Sequence, residues 1–299
     1  MQALVTGAAG FLGRALCREL LARGHAVRAL LRARTDDASL DAAVERVRGD
    51  ATDAAALARA VRGCDLVYHL AGVRRAVDPA EFMRVNAGST RLLLDACASA
   101  GAARQRFVLA GSLAAIGPSR EGRREEDPFA PAEPYGASKA EAERIAMSFA
   151  GRLPVAVGRP PRIFGPGDRE NLLFFRIAAR GLVLRFGGGE RPLSWVDVDD
   201  CAEAFALLGE RDEAVGQAFN LGNPQGTATN FELANMIIRL TESKSEIVFK
   251  PHPGPEVDLR VPSIDKAATI LGFKPTVSLE AGISNTIPWY REHLAQLTK

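Results

Sequence analysis

The chain opens on Leu4-Val-Thr-Gly7-Ala-Ala-Gly10-Phe-Leu-Gly13, an apolar strand running through a glycine-spaced turn into a helical pattern. This unit constrains the fold more than any other stretch. A glycine at such a turn lets the backbone approach a pyrophosphate. The helix that follows offers free N–H groups and positive dipole charge to the same group. Glycines spaced G-x-x-G-x-x-G also serve plain strand–helix packing. The motif's place at the first βα turn of an alternating chain is what makes dinucleotide binding the expectation.

The alternation is clear in the first half. Apolar runs at 3–6, 26–31, 66–69, 107–109 and 155–157 are separated by helical patterns at about 11–23, 53–61, 81–100 and 136–150. Strands joined by helices imply right-handed crossovers and a parallel sheet covered on both faces. Residues 1–165 therefore read as a dinucleotide-binding domain of class α/β, with a Rossmann-type doubly wound parallel sheet. The second half carries loop signals at Pro160-Pro161, Gly165-Pro-Gly167, Gly187-Gly-Gly189, Gly222-Asn-Pro224 and Pro251–Pro255. Its helices fall at about 171–181, 199–210, 230–240 and 279–296. Residues 166–299 read as a smaller C-terminal substrate lobe, with some segments rejoining the sheet. The charged stretch Arg120–Asp127 reads as an exposed loop.

Composition narrows the function. Lys+Arg number 38 and Asp+Glu 36 in 299 residues, a net charge of +2 that gives no support for nucleic-acid or membrane-surface binding. Hydrophobic residues at 47% and charged residues at 25% fit a soluble globular protein. Cys17, Cys64, Cys97 and Cys201 form no C-x-x-C pair, so reduced thiols and a cytoplasmic location are expected. His25, His69, His252 and His293 lack metal-like spacing, so no metal is expected. No apolar run is long enough to span a membrane, and the chain shows no signal-peptide pattern. One break stands out. Residues 1–240 hold 30 Arg and one Lys, whereas 241–299 hold 2 Arg and 5 Lys. Drift in a tail lobe accounts for it, as does a segment of separate origin.

The end of the second strand is where a ribose is read. An acid there bonds the 2′-hydroxyl of NAD, whereas this chain has Leu31, then Arg32 and Arg34. Basic residues suit a 2′-phosphate, so NADP is preferred and NAD remains possible. Ordinary solvated arginines are the alternative. Tyr135 and Lys139 lie four apart, on one helix face. An ammonium beside a phenol favours the phenolate, a general acid/base for carbonyl–alcohol interconversion. Ser112 follows the strand at 107–109, at the sheet edge where ligands bind, and there its hydroxyl would hold the reacting oxygen. A capping serine is the plainer reading. Asp197, Asp199 and Asp200 read as preceding and capping the helix at about 199–210.

Together these pieces resemble the extended short-chain dehydrogenase/reductase family, the NAD(P)-dependent epimerase/dehydratase group. The resemblance runs through Val5–Gly13, Gly49-Asp50, Tyr68-His-Leu-Ala-Gly72, Val85-Asn86-Ala-Gly-Ser-Thr90 and Phe107–Ser112. It continues through Glu133–Glu141, Arg159–Pro166 and Val196–Asp200. It implies that Gly7, Gly10, Phe11, Leu12 and Gly13 cradle the pyrophosphate. Asp50 and Ala51 would meet the adenine, and Leu70, Ala71, Gly72 and Pro161 would line the cofactor. Ser112, Tyr135 and Lys139 would form the catalytic triad, with Tyr135 and Lys139 also on the cofactor. A homodimer through the helices near 81–100 and 136–150 is implied as well.

Departures narrow the reaction. Family dehydratases and decarboxylases carry an acid just after the catalytic Ser/Thr, and here Leu113-Ala-Ala115 follows. Epimerisation or net redox at a secondary alcohol remains. For the substrate, Arg260 and Asn171 resemble sugar-nucleotide contacts, and an arginine suits a diphosphate. Leu193 stands where a second diphosphate arginine is expected, with Arg191 two residues early, and Arg162 replaces a common Asn. The leading expectation is an epimerase acting on a sugar nucleotide, with Ser112, Arg162, Asn171 and Arg260 on the substrate. The alternative is a net NADP-dependent reductase or dehydrogenase of an apolar hydroxy/keto substrate, of 3β-hydroxysteroid or dihydroflavonol-reductase type. A non-catalytic NADP sensor is a third reading, disfavoured by the intact Ser112/Tyr135/Lys139 set.

Overall fold

The computed structural model describes residues 1–101, 105–118, 122–169, 175–176, 178, 181–186, 192–250 and 261–297. Its strands are β1 (Gln2–Thr6), β2 (Ala26–Leu31), β3 (Glu45–Arg48), β4 (Leu66–His69), β5 (Arg106–Ala110), β6 (Val155–Arg159), β7 (Arg162–Phe164), β8 (Leu182–Phe186), β9 (Leu193–Asp197), β10 (Gln217–Asn220), β11 (Thr227–Ala228) and β12 (Glu246–Lys250). The helices used below are α1 (Phe11–Ala22), α2 (Ala54–Ala60), α3 (Pro79–Phe82), α4 (Gly88–Ser99), α5 (Leu113–Ile116), α6 (Pro134–Ser148), α7 (Val198–Glu210), α8 (Asn230–Thr241) and α9 (Leu279–Leu297).

The main sheet has seven parallel strands in the order β10-β6-β5-β4-β1-β2-β3. The chain winds outward from β1 to β3, then returns to β4 on the other side of β1. A crevice opens where the order reverses, at the C-terminal ends of β1 and β4. The central strands are apolar because both faces are covered. Ala3 and Val5 of β1 face a core containing Leu16 and Leu20 of α1 and Phe205 and Leu208 of α7. Leu4 faces the opposite core with Leu57 of α2, Leu93 and Leu94 of α4 and Ala146 of α6.

Two sheet strands escape the apolar pattern. β3 reads Glu45-Arg-Val-Arg48 because it is an exposed edge strand, where charge blocks further pairing. β10 comes from the second half of the chain and closes the other edge, with Gln217 beside Ala156.

The C-terminal segments build a three-stranded sheet, β11-β9-β7, and a two-stranded pair, β12-β8. Their core joins Phe164, Phe175, Trp195, Leu233, Ile237, Ile283 and Tyr290. Asp200, buried in α7, ties this region to the sheet. Its carboxylate accepts Thr276 N–H at 3.0 and 3.1 Å, Thr276 Oγ1 at 3.0 Å and Val277 N–H at 3.0 Å.

Three readings need correction. Of the three aspartates expected to cap one helix, Asp197 alone does so, accepting Asp199 N–H at 2.9 Å. Asp199 pairs with Arg18 at 2.8 Å, and Asp200 serves as the anchor just described. The helical pattern at 81–100 is interrupted by a wide π turn at Met83–Ala87. The stretch 122–127 is also not a simple exposed loop. Glu125 is half-buried and accepts Asn220 N–H at 2.8 Å, and its carbonyl accepts Arg159 Nη1 at 3.0 Å. All four cysteines are buried free thiols. Among the described residues no helix is long and apolar enough to cross a membrane, and no His/Cys/Asp/Glu group is placed to hold a metal.

Candidate active site

The glycine turn sits at the reversal point between β1 and β4. Gly7 has φ +73°, and a side-chain carbon there would lie 2.8 Å from Ala71 N and 2.9 Å from the Leu70 carbonyl carbon. At Gly13 it would lie 2.1 Å from Gly7 O. Glycine is therefore required where turn, helix and the β4 loop meet. Gly10 caps α1 without a side chain, and no acid stands in the first helical turn. The free N–H groups of the first turn, near Phe11 and Leu12, therefore meet no acidic side chain of their own helix turn.

Beneath the turn lies a buried polar chain. Thr6 Oγ1 accepts Ala71 N–H at 3.2 Å and meets His69 Nδ1 at 2.8 Å, and His69 Nε2 meets Ser89 Oγ at 3.0 Å. Burial, and next the Lys139 charge, push the His69 pKa down to about 3, so the ring is neutral. Through Thr6 Oγ1 it braces the backbone at Ala71.

Lys139 is 7% exposed, and its Nζ donates to Ala110 O at 2.7 Å. Burial, and next Arg74, bring its pKa down to about 8. The ammonium lies 3.8 Å from where a Gly72 side chain would begin, so Gly72 keeps that approach open. Tyr135 stands one turn earlier on α6, half-buried, its ring edge-on to Phe82 at 6.1 Å between centroids. Ser112, two residues beyond Ala110, caps α5 by accepting Ala114 N–H at 3.2 Å, which leaves its O–H proton for another acceptor. Cap and chemistry are compatible here.

Several positioning residues carried no role in the sequence reading. At Gly136 a side-chain carbon would lie 2.4 Å from Ala114 O, so this glycine lets α6 rest on the turn after Ser112. A glycine inside a helix, where propensity disfavours it, was the available signal. Asn86, in the π turn, accepts Val73 N–H at 2.8 Å and donates to Val73 O at 3.0 Å and Ser138 Oγ at 2.9 Å. Ser138 in turn donates to Tyr135 O at 2.7 Å. A π turn at a functional site re-aims a side chain in this way.

The remaining expected residues divide. Asp50 accepts Thr52 Oγ1 at 2.7 Å and Thr52 N–H at 2.8 Å, which hold its carboxyl below the usual range. Ala51 packs on the α2/α4 core, Leu70 on the α1/α7 core, and Pro161 is half-buried next to Pro160, whose carbonyl accepts Leu113 N–H at 3.2 Å. Arg32 is exposed just past β2. The Arg162 guanidinium lies over the Trp195 ring at 5.3 Å. Leu193 opens β9 and is half-buried. Asn171, Arg191, Arg260, His252, Gly187–Gly189 and much of the helix expected at 171–181 lie outside the described residues.

A glycine turn at the strand reversal thus lies near a buried lysine, one helical turn after Tyr135 and bonded to the carbonyl two residues before Ser112. The profile of the NAD dependent epimerase/dehydratase family matches residues 3–222. The chain belongs to that family. It is 36% identical over 201 residues to a ceramide reductase of Caulobacter vibrioides (strain NA1000 / CB15N), a match covering 66% of this chain and 57% of that protein's length. It is 31% identical over 319 residues to a UDP-glucose 4-epimerase of Mycolicibacterium smegmatis (strain ATCC 700084 / mc(2)155), covering 97% of this chain and 99% of that one. Among solved structures, MoeE5 in complex with UDP-glucuronic acid and NAD superposes with a TM-score of 0.86 at 27% identity, covering 98% of this chain and 99% of that one.

Proposed function

We propose that the protein is an epimerase of a sugar nucleotide that transiently oxidises a secondary alcohol and re-reduces the ketone on its other face. The observation that carries this reading is the buried Lys139 ammonium at Ala110, with Ser112 and Tyr135 on the adjoining turns. The glycine turn fits a dinucleotide, since neighbouring backbone fills the space of any side chain at Gly7 and Gly13. Gly7, Gly10, Phe11, Leu12 and Gly13 would hold the pyrophosphate, with Asp50 and Ala51 at the adenine and Leu70–Gly72 and Pro161 along the cofactor. NADP is preferred, because Leu31 stands where an acid would read NAD and Arg32 follows it. The bound nicotinamide would supply a reversible hydride acceptor.

The chain's own residues handle the proton. The Tyr135 oxygen takes the substrate hydroxyl proton as the C–H hydride leaves, and returns it when the hydride comes back. Lys139 places positive charge next to that oxygen, which lowers the cost of the phenolate. Ser112 donates its hydroxyl to the reacting oxygen and fixes its position. Arg162, Asn171 and Arg260 carry the substrate part of the reading, and α4 and α6 the homodimer part.

The test is the ligand released on denaturing the purified protein, read by mass spectrometry, together with NADPH consumption. Co-purified cofactor, no net NADPH oxidation with carbonyl compounds, and loss of sugar-nucleotide interconversion in Tyr135→Phe are expected. A net reductase of an apolar hydroxy/keto substrate is the second reading. Leu113-Ala-Ala115 after the serine, Leu193, and the similarity to a ceramide reductase favour it. Stoichiometric NADPH oxidation would decide for it and end the epimerase proposal.

A further inference from the structure

The loop after β2 is held by a network that the glycine turn and the catalytic residues do not use. In the parallel register Arg48 of β3 stands beside Leu31, the last residue of β2. Its Nη1 donates to Arg32 O at 3.3 Å and Thr35 O at 3.4 Å, and its Nη2 to Asp37 Oδ2 at 3.0 Å. Arg46, two residues earlier on the same face, donates Nε to that Asp37 oxygen at 3.1 Å. Its other nitrogens reach Val44 O at 2.7 Å and Leu40 O at 3.0 Å. One carboxylate is thus shared by two guanidinium groups, which also donate to the carbonyls of Arg32, Thr35, Leu40 and Val44.

The charge arithmetic follows. Asp37 is engaged by both arginines. Asp36 accepts Ala38 N–H at 3.1 Å within its own turn. Arg32 and Arg34 are exposed and outside any ion pair among the described residues. The edge-strand arginines therefore engage the loop's better-buried acid, while Arg32 and Arg34 stay exposed at the strand end, Arg32 within electrostatic reach of Asp50.

We infer that Asp37, Arg46 and Arg48 form a positioning network that makes the β2 loop selective for a 2′-phosphorylated ribose. This rests on the NADP reading above and names what sets it. Arg48 holds the backbone of Arg32 and Thr35 in place before the ligand arrives, so less ordering entropy is lost on binding. The bonds it makes need the planar fork of an arginine, and a lysine does not replace it.

The test is direct binding, by calorimetry, of 2′,5′-ADP and 5′-AMP to the protein and its variants. Wild type should prefer 2′,5′-ADP by about tenfold or more. Arg32→Ala should remove most of that preference. Arg48→Ala and Arg48→Lys should each weaken 2′,5′-ADP roughly fivefold while changing 5′-AMP less than about twofold. Asp37→Asn, which leaves β3 intact, should lower the preference in the same direction and covers the case of a poorly folded Arg48 variant. A wild type without preference overturns the NADP reading. A preference lost in Arg32→Ala but kept in Arg48→Ala and Asp37→Asn, or equal weakening of both ligands, overturns the positioning network alone.

Discussion

The crevice at the sheet and the C-terminal region are built on different terms. At the crevice, polar side chains are fixed by backbone: Lys139 by Ala110 O, Asn86 by both polar groups of Val73, Ser112 by Ala114 N–H. The C-terminal region is an aromatic cluster, with Phe175 stacked on Tyr290 at 3.9 Å and Phe164 edge-on to Trp195 at 6.4 Å, roped to α7 by Asp200. The first arrangement keeps a buried charge at a cost in stability. The second is packed for cohesion and hangs on a carboxylate. A substitution at each should therefore move activity and stability in opposite proportion.

Lys139→Met gives the largest effect. Removing the ammonium should cut turnover by about 10²–10⁴. It should also raise the melting temperature at pH 7, because a buried cation is exchanged for an apolar chain of similar length. A variant that loses activity and stability together would break the contrast. The same residue sets a pH window. Its folded pKa of about 8 lies below its ordinary 10.5, so between those values the unfolded chain binds the extra proton. In that window the Lys139 contribution to stability rises with pH, and it falls away as pH drops through 8. A Lys139→Met protein should lack this component, and comparing urea midpoints of the two proteins from pH 8 to 10 reads it out.

Asp200→Ala tests the other region. It leaves Thr276 N–H and Val277 N–H without their acceptor, at a cost of about 2–4 kcal/mol. Hydrogen exchange should quicken in α9 well before it does in β1 or β4. Uniform acceleration across the chain would mean that the two regions unfold as one unit.

The contrast also explains what the sequence made legible. Gly7 and Gly13 announce themselves because no other residue fits their conformation or space. Tyr135 and Lys139 are found because helical periodicity puts them on one face. β3 is hidden because Val47 alone of its four residues packs on the core and its three charges mimic a loop. The Thr6–His69–Ser89 chain and the Asp200 anchor join residues far apart in sequence, and no local pattern marks such partners. The roles of Asp199 and Asp200 were misread for the same reason: an aspartate near a helix start looks like a cap until its long-range partner is known.

Tyr68→Phe is the smallest effect and the sharpest check on the first region. Tyr68 is fully buried in β4, one residue before His69, yet among the described residues its hydroxyl has no hydrogen-bond partner. It presses on α7, where a side-chain carbon at Gly209 would fall 2.0 Å from the Tyr68 oxygen. Burial drives the Tyr68 pKa strongly upward, so the phenol stays neutral. Deleting an unpartnered hydroxyl removes a desolvation penalty and leaves only a small void. Stability should change by less than about 0.5 kcal/mol, or rise, and turnover should be unaffected. A loss beyond about 1 kcal/mol would mean that this hydroxyl is bonded in solution. It would then belong with Lys139 and Asn86, among the backbone-fixed polar groups that hold the crevice in shape.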